Sequence, residues 1–79
     1  MTQCEKLLMK LMAGSRLTHQ EVKRLLEHFG YEMSHGRGSG VKYIKAGYAP
    51  IVYHVPHAGD KLLKPYVLDA VRDAVRKEL

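Results

Sequence analysis

Between Thr2 and Ala13 the apolar residues Leu7, Leu8, Leu11 and Met12 recur at helical spacing, with Glu5, Lys6 and Lys10 on the opposite side. This predicts a short amphipathic helix, ended by Gly14 and Ser15. A second helix start follows in Leu17-Thr18-His19-Gln20-Glu21-Val22. There Thr18 can accept from the backbone N–H of Glu21 while the Glu21 side chain reaches back, and Leu17 can pack on Val22. That helix should run to about His28 and bury Val22, Leu25, Leu26 and Phe29, with Gly30 as the left-handed residue that stops it. The pattern then changes period. Tyr31-Glu32-Met33-Ser34 alternates, Val41 to Lys45 reads as a second strand and Pro50 to Val55 as a third, with glycine-rich or short connections between them. A polar segment leads to Pro65, suited to the first position of a final helix. Its stripe is Leu68, Val71, Val75 and Leu79, widened by Val67, Ala70 and Ala74.

The predicted order is therefore α-α-β-β-β-α, an α+β fold with a three-stranded antiparallel sheet covered on one face by helices. Residues 1–79 are expected to form one domain, since a chain of this length buries little more than about 60% of its unfolded surface. In the third strand Ile51, Tyr53 and Val55 share one side and Val52 and His54 the other. If the first set meets the helices, His54 lies on the open face of the sheet.

Composition narrows the function without naming it. A hydrophobic share of 46% and a charged share of 27% are enough for a folded core and rule out a disordered tail as the main product. No stretch approaches the ~20 apolar residues of a membrane span, and no secretory leader is evident, so the cytoplasm is the expected compartment. Cys4 is the single cysteine, which excludes an internal disulfide and a cysteine-based zinc site. Thirteen Lys and Arg against eight Asp and Glu give a formal net charge of +5, which favours polyanions, nucleic acid first among them, and acidic protein surfaces.

Four features stand in a characteristic order: the helix end Leu25-Leu26-Glu27-His28-Phe29-Gly30-Tyr31, the Gly38-Ser39 turn, the strand pair with its Val55-Pro56-His57 exit, and Gly59-Asp60-Lys61-Leu62-Leu63-Lys64 before the last helix. Their order and spacing, from about Leu7 to Val75, resemble the HicA-type toxins of bacterial toxin-antitoxin systems. That resemblance implies a fold like the double-stranded-RNA-binding domain, cleavage of mRNA without a metal or other cofactor, and neutralisation by a HicB-type antitoxin. Active members of that family carry a catalytic histidine directly after the Gly-Ser pair or one residue later, whereas this chain has Gly40 and Val41 there. A subfamily using another histidine, a degenerate toxin that only binds RNA or antitoxin, and a disabled variant all fit that departure.

Metal-free RNA cleavage needs a base for the ribose 2′-hydroxyl, an acid for the leaving oxygen and cations for the phosphorane. Histidine suits the first two because its ordinary pKa of about 6.5 lets it exchange protons near neutrality. Of the five histidines, His57 comes first, following Pro56 at the strand exit, and His54 second, where it could share a site with Lys42. His35 is placed at the turn, and His19 and His28 are read as surface positions of the second helix. The Gly36 to Gly40 stretch, Gly38 and Ser39 included, either presents backbone N–H groups to phosphate, with Arg37 available for a bidentate contact, or is a flexible hairpin connection. Lys42, Lys45, Lys61 and Lys64 could line a basic surface for RNA, and Tyr43, Tyr48 and Tyr53 are either base-stacking or core residues. His54 and His57 lack further ligands at recognisable metal spacing, so no metal is expected.

Overall fold

The computed structural model describes residues 3–56 and 61–78. Its elements are α1 (Gln3–Met12), α2 (His19–His28), β1 (Glu32–His35), β2 (Gly40–Ile44), β3 (Ile51–His54) and α3 (Pro65–Arg76), in the α-α-β-β-β-α order expected of the sequence. Helix α2 begins as its capping residues dictate. Glu21 N–H donates to Thr18 Oγ1 at 3.3 Å, and Thr18 N–H donates to Glu21 Oε1 at 3.0 Å. Two of the backbone donors that every helix start leaves over are thereby satisfied. The helix closes on Gly30 at φ +92°, where Tyr31 N–H donates to Leu26 O and Gly30 N–H to Glu27 O. A side chain would be strained in that left-handed conformation, so glycine sets the stop.

The sheet order is β1-β2-β3, both pairs antiparallel, with His35 opposite Val41, Lys42 opposite Ser34 and Val52, and Gly40 opposite His54. Alternation decides which side is covered. Val41, Tyr43, Ile51 and Tyr53 are buried beneath the helices, whereas Lys42, Ile44, Val52 and His54 are exposed on the other face. Against the inner face pack Leu7 and Leu11 of α1, Val22, Leu25 and Leu26 of α2, and Val67, Leu68, Val71 and Val75 of α3, in one continuous core. Phe29, Leu8, Met12 and Ala74 are half-buried around it, while Ala70 is exposed and Leu79 lies outside the described residues.

Polar contacts also tie the elements to one another. Arg72 of α3 donates through Nε to Leu11 O at 3.0 Å, joining Gly14 N–H on a carbonyl at the end of α1. At the far end of the sheet, Lys45 pairs with Glu78 and lies 4.5 Å from the centre of the Tyr48 ring. Among the described residues no helix is long and apolar enough to cross a membrane.

Candidate functional site

The segments that precede α2 and α3 meet although more than half the chain separates them. Leu63 N–H donates to Leu17 O at 2.9 Å, and Thr18 forms an isolated antiparallel bridge with Leu62. Arg16 closes this junction from outside. Its Nε and Nη2 donate to Leu63 O at 3.0 and 2.8 Å, and Nη2 also reaches Leu62 O at 3.4 Å. A guanidinium held at two positions on one carbonyl is ordered before any ligand arrives. The Lys61–Lys64 segment is thus strapped beside the outer edge of β3.

On the sheet side, Val55 N–H donates to Ser39 O at 2.9 Å, so the β2–β3 ladder continues past His54 and ties the hairpin turn to the strand exit. Between the sheet edge and the strap runs a cleft of about 520 Å³ lined by Arg16, Ser39, His54, Lys61, Lys64 and Tyr66, with Val55, Pro56, Leu62, Leu63 and Val67 as its apolar wall. Arg16, Lys61 and Lys64 give it three cations, and none of its described lining residues is a carboxylate. An anion entering here meets positive charge of one sign on a partly apolar surface, the arrangement that focuses an electrostatic field.

His54 stands at the cleft directly across from Gly40. A Cβ placed on Gly40 would lie 3.6 Å from His54 Cε1, 3.7 Å from Nδ1 and 3.3 Å from Arg37 O. Since Gly40 carries no side chain, the imidazole of His54 lies over the spot from which a residue-40 side chain would project. The adjoining turn is closed by Gly36 N–H to Gly40 O at 2.8 Å and Gly40 N–H to Arg37 O at 3.1 Å, with Gly38 at φ +60°. The backbone N–H groups of Arg37, Gly38 and Ser39 donate to no backbone carbonyl among the described residues.

Of the residues singled out in the sequence, the fold therefore brings His54, Ser39, Lys61 and Lys64 into one cleft. Arg37 and Gly38 sit at the exposed turn tip next to it and do not line it. Lys42 shares the open face with His54, but faces Val52 across the strands, which leaves it diagonal to His54 at roughly 7–8 Å between backbones. His57 falls outside the described residues. Lys45 is engaged with Glu78 and Tyr48 at the opposite end, and His35 is the exposed last residue of β1. Among the described residues no group of three or more metal-ligating side chains comes together.

Two residues that the linear pattern left without a role acquire one. Arg16 had no motif around it, and only its contact with Leu63 identifies it. His19, read as a surface position, is half-buried and shares a 2.7 Å hydrogen bond between Nδ1 and the Tyr53 hydroxyl. That hydroxyl lies 3.2 Å from the Tyr43 hydroxyl, and the two tyrosine rings stack with centroids 5.9 Å apart. Burial, followed by the positive charges of Lys23 and His35, holds the His19 pKa below 6.5. Burial also raises both tyrosines, so each remains a neutral hydrogen-bonding group. Tyr43 and Tyr53 are 0% and 2% exposed, which removes them as base-stacking residues.

Comparison with protein-family models, curated proteins and solved structures finds no match for this chain.

Proposed function

We propose that this chain is an RNA-directed toxin of the HicA type, a metal-independent endoribonuclease acting on mRNA in the cytoplasm and neutralised by a HicB-type antitoxin, on a fold like that of the double-stranded-RNA-binding domain. The observation that supports this most is the cleft in which His54 and Ser39 face Arg16, Lys61 and Lys64. In this mechanism His54 removes the proton of a ribose 2′-hydroxyl, the oxygen attacks the adjacent phosphorus, and the cations stabilise the charge on the phosphorane. The 5′-oxygen leaves with a proton from a second acid, leaving a 2′,3′-cyclic phosphate and a 5′-hydroxyl. His57, three residues along the chain, is the residue proposed for that second proton. Arg37 and Lys42, beside the cleft, steer the flanking phosphates, and the backbone N–H groups of Gly38 and Ser39 suit the same task.

Gly40 favours a second reading, a module of the same fold that binds RNA or antitoxin without cutting. Incubation of the purified chain with RNA in excess chelator separates the two. Cleavage to cyclic-phosphate ends is expected, reduced about 10²-fold or more in His54→Ala, since positioned acid–base groups contribute ~10²–10⁴-fold. Unchanged cleavage in both His54→Ala and His57→Ala overturns the assignment, and RNA binding without cleavage by the parent chain favours the second reading.

A further inference from the structure

Tyr66 is 63% exposed, although it is one of the largest apolar side chains in the molecule. The other tyrosines are otherwise engaged. Tyr31, Tyr43 and Tyr53 are buried, and Tyr48 is half-buried against Tyr31 and under Lys45. Tyr66 has neither a ring contact nor a hydrogen bond with any described residue. Burial does not explain its presence. Its position in the first turn of α3, next to the fixed Pro65, holds its backbone, so ordering its ring on a ligand costs little more than two side-chain torsions.

Its surroundings match one class of ligand. The ring stands on the same cleft as Arg16 and Lys64, and that cleft, at about 520 Å³, falls within the roughly 300–1,000 Å³ range of small-ligand sites. The exposed Leu62 and the Val55–Pro56 edge give it apolar surface beside its cations. An aromatic face, an apolar wall and a pre-oriented guanidinium within one concavity complement a flat heterocycle attached to a phosphate. A base paired within an A-form helix cannot present its face to such a ring, because both faces are already stacked. An unpaired one can.

We propose that Tyr66 forms a nucleotide subsite at the head of α3, its ring stacking on one unpaired base while Arg16 and Lys64 hold the adjoining phosphate. This rests on the RNA-directed reading and adds to it that the cleft engages a splayed nucleotide of a single strand. Recognition through a stacked base also makes this the position at which tolerance for different bases is set, since stacking accepts any base but favours purines by area.

The test uses the full chain with a 2′-O-methyl oligoribonucleotide, which lacks the attacking hydroxyl, carrying one 2-aminopurine, and with the same strand in a perfect duplex. Binding of the single strand is expected to quench the 2-aminopurine. Tyr66→Phe should retain affinity within about twofold, and Tyr66→Ala and Tyr66→Leu should lose about 5- to 160-fold, which is base–aromatic stacking converted at 1.36 kcal/mol per decade. Duplex affinity should not change. Leucine that binds as well as tyrosine, or an alanine variant equal to the parent, overturns the stacking role. If a combined Arg16→Ala, Lys61→Ala, Lys64→Ala variant loses RNA while Tyr66→Ala does not, the RNA-directed reading survives and the subsite falls. If the parent binds no RNA, both fall.

Discussion

Replacing Tyr53 by phenylalanine deletes one oxygen from the interior, and the geometry around that oxygen sets the cost. The Tyr53 hydroxyl is the middle member of a chain, 2.7 Å from His19 Nδ1 and 3.2 Å from the Tyr43 hydroxyl. Two hydrogen bonds are lost, each contributing about 1 kcal/mol net. The stranded groups differ. His19 is half-buried and recovers water, but Tyr43 is 0% exposed and its hydroxyl is left without a partner, at about 1–3 kcal/mol. The stranding penalty takes the place of the Tyr43 bond's net contribution, so the expected total is about 2–4 kcal/mol. In a domain of this size that lowers Tm by roughly 10–30 °C. Tyr43→Phe leaves the Tyr53–His19 bond in place and should cost about 1 kcal/mol, and the double variant should cost less than the sum because no hydroxyl remains stranded. Thermal melts followed by far-UV circular dichroism at pH 7.5 read all three. A Tyr53→Phe protein as stable as Tyr43→Phe, or strict additivity in the double variant, would refute the chain.

The same chain makes stability depend on pH. Because burial depresses the His19 pKa below 6.5, the unfolded state binds more protons than the folded one at pH values below about 6.5. This contribution is complete above 6.5 and is lost as pH falls towards the folded value. A melt series from pH 7.5 to 5 should show Tm falling, with a shallower fall in His19→Gln; an equal slope refutes it. Thr18→Ala removes the α2 cap and should cost about 1 kcal/mol in chemical denaturation, whereas a change under 0.3 kcal/mol would mean that the cap adds nothing. Arg16→Lys keeps the charge but cannot grip Leu63 O through two nitrogens, so limited tryptic cleavage after Lys61 should accelerate; a parent-like cleavage rate would count against the strap. Gly40→His in the His54→Ala background places an imidazole over the same spot from the opposite strand, and cleavage should return in part. No recovery would show that the two positions are not equivalent.

Local features were legible because they are encoded within a few residues. Thr18 and Glu21 specify a cap across one helical turn, Gly30 a stop, Pro65 a start, and the alternation of Ile51, Val52, Tyr53 and His54 gives the sides of β3. The strand ends moved by one residue, as where Gly40 joins β2 by pairing with His54, because pairing is decided by the partner strand. The contacts that build the cleft have no such local code. Arg16 and Leu63 are 47 positions apart, and His19 and Tyr53 are 34 apart. Each looks like an ordinary polar or apolar residue until the helices and strands dock. Tyr66 was passed over for a related reason: in the pattern it is one non-stripe residue of an amphipathic helix, and only its exposure next to the cations sets it apart.

The clasp between Arg16 and the carbonyls of Leu62 and Leu63 also bears on when a nascent chain gains its cleft. The strap that forms one wall of the cleft is translated late and is gripped by a residue from the first third of the chain, so no product that stops before the strap contains a complete site. Domains fold largely as units during synthesis, and here the closing contact waits for residues shortly before α3. A chain built this way has no complete cleft until the strap has been made. A premature stop ahead of the strap would release a fragment with no cleft at all.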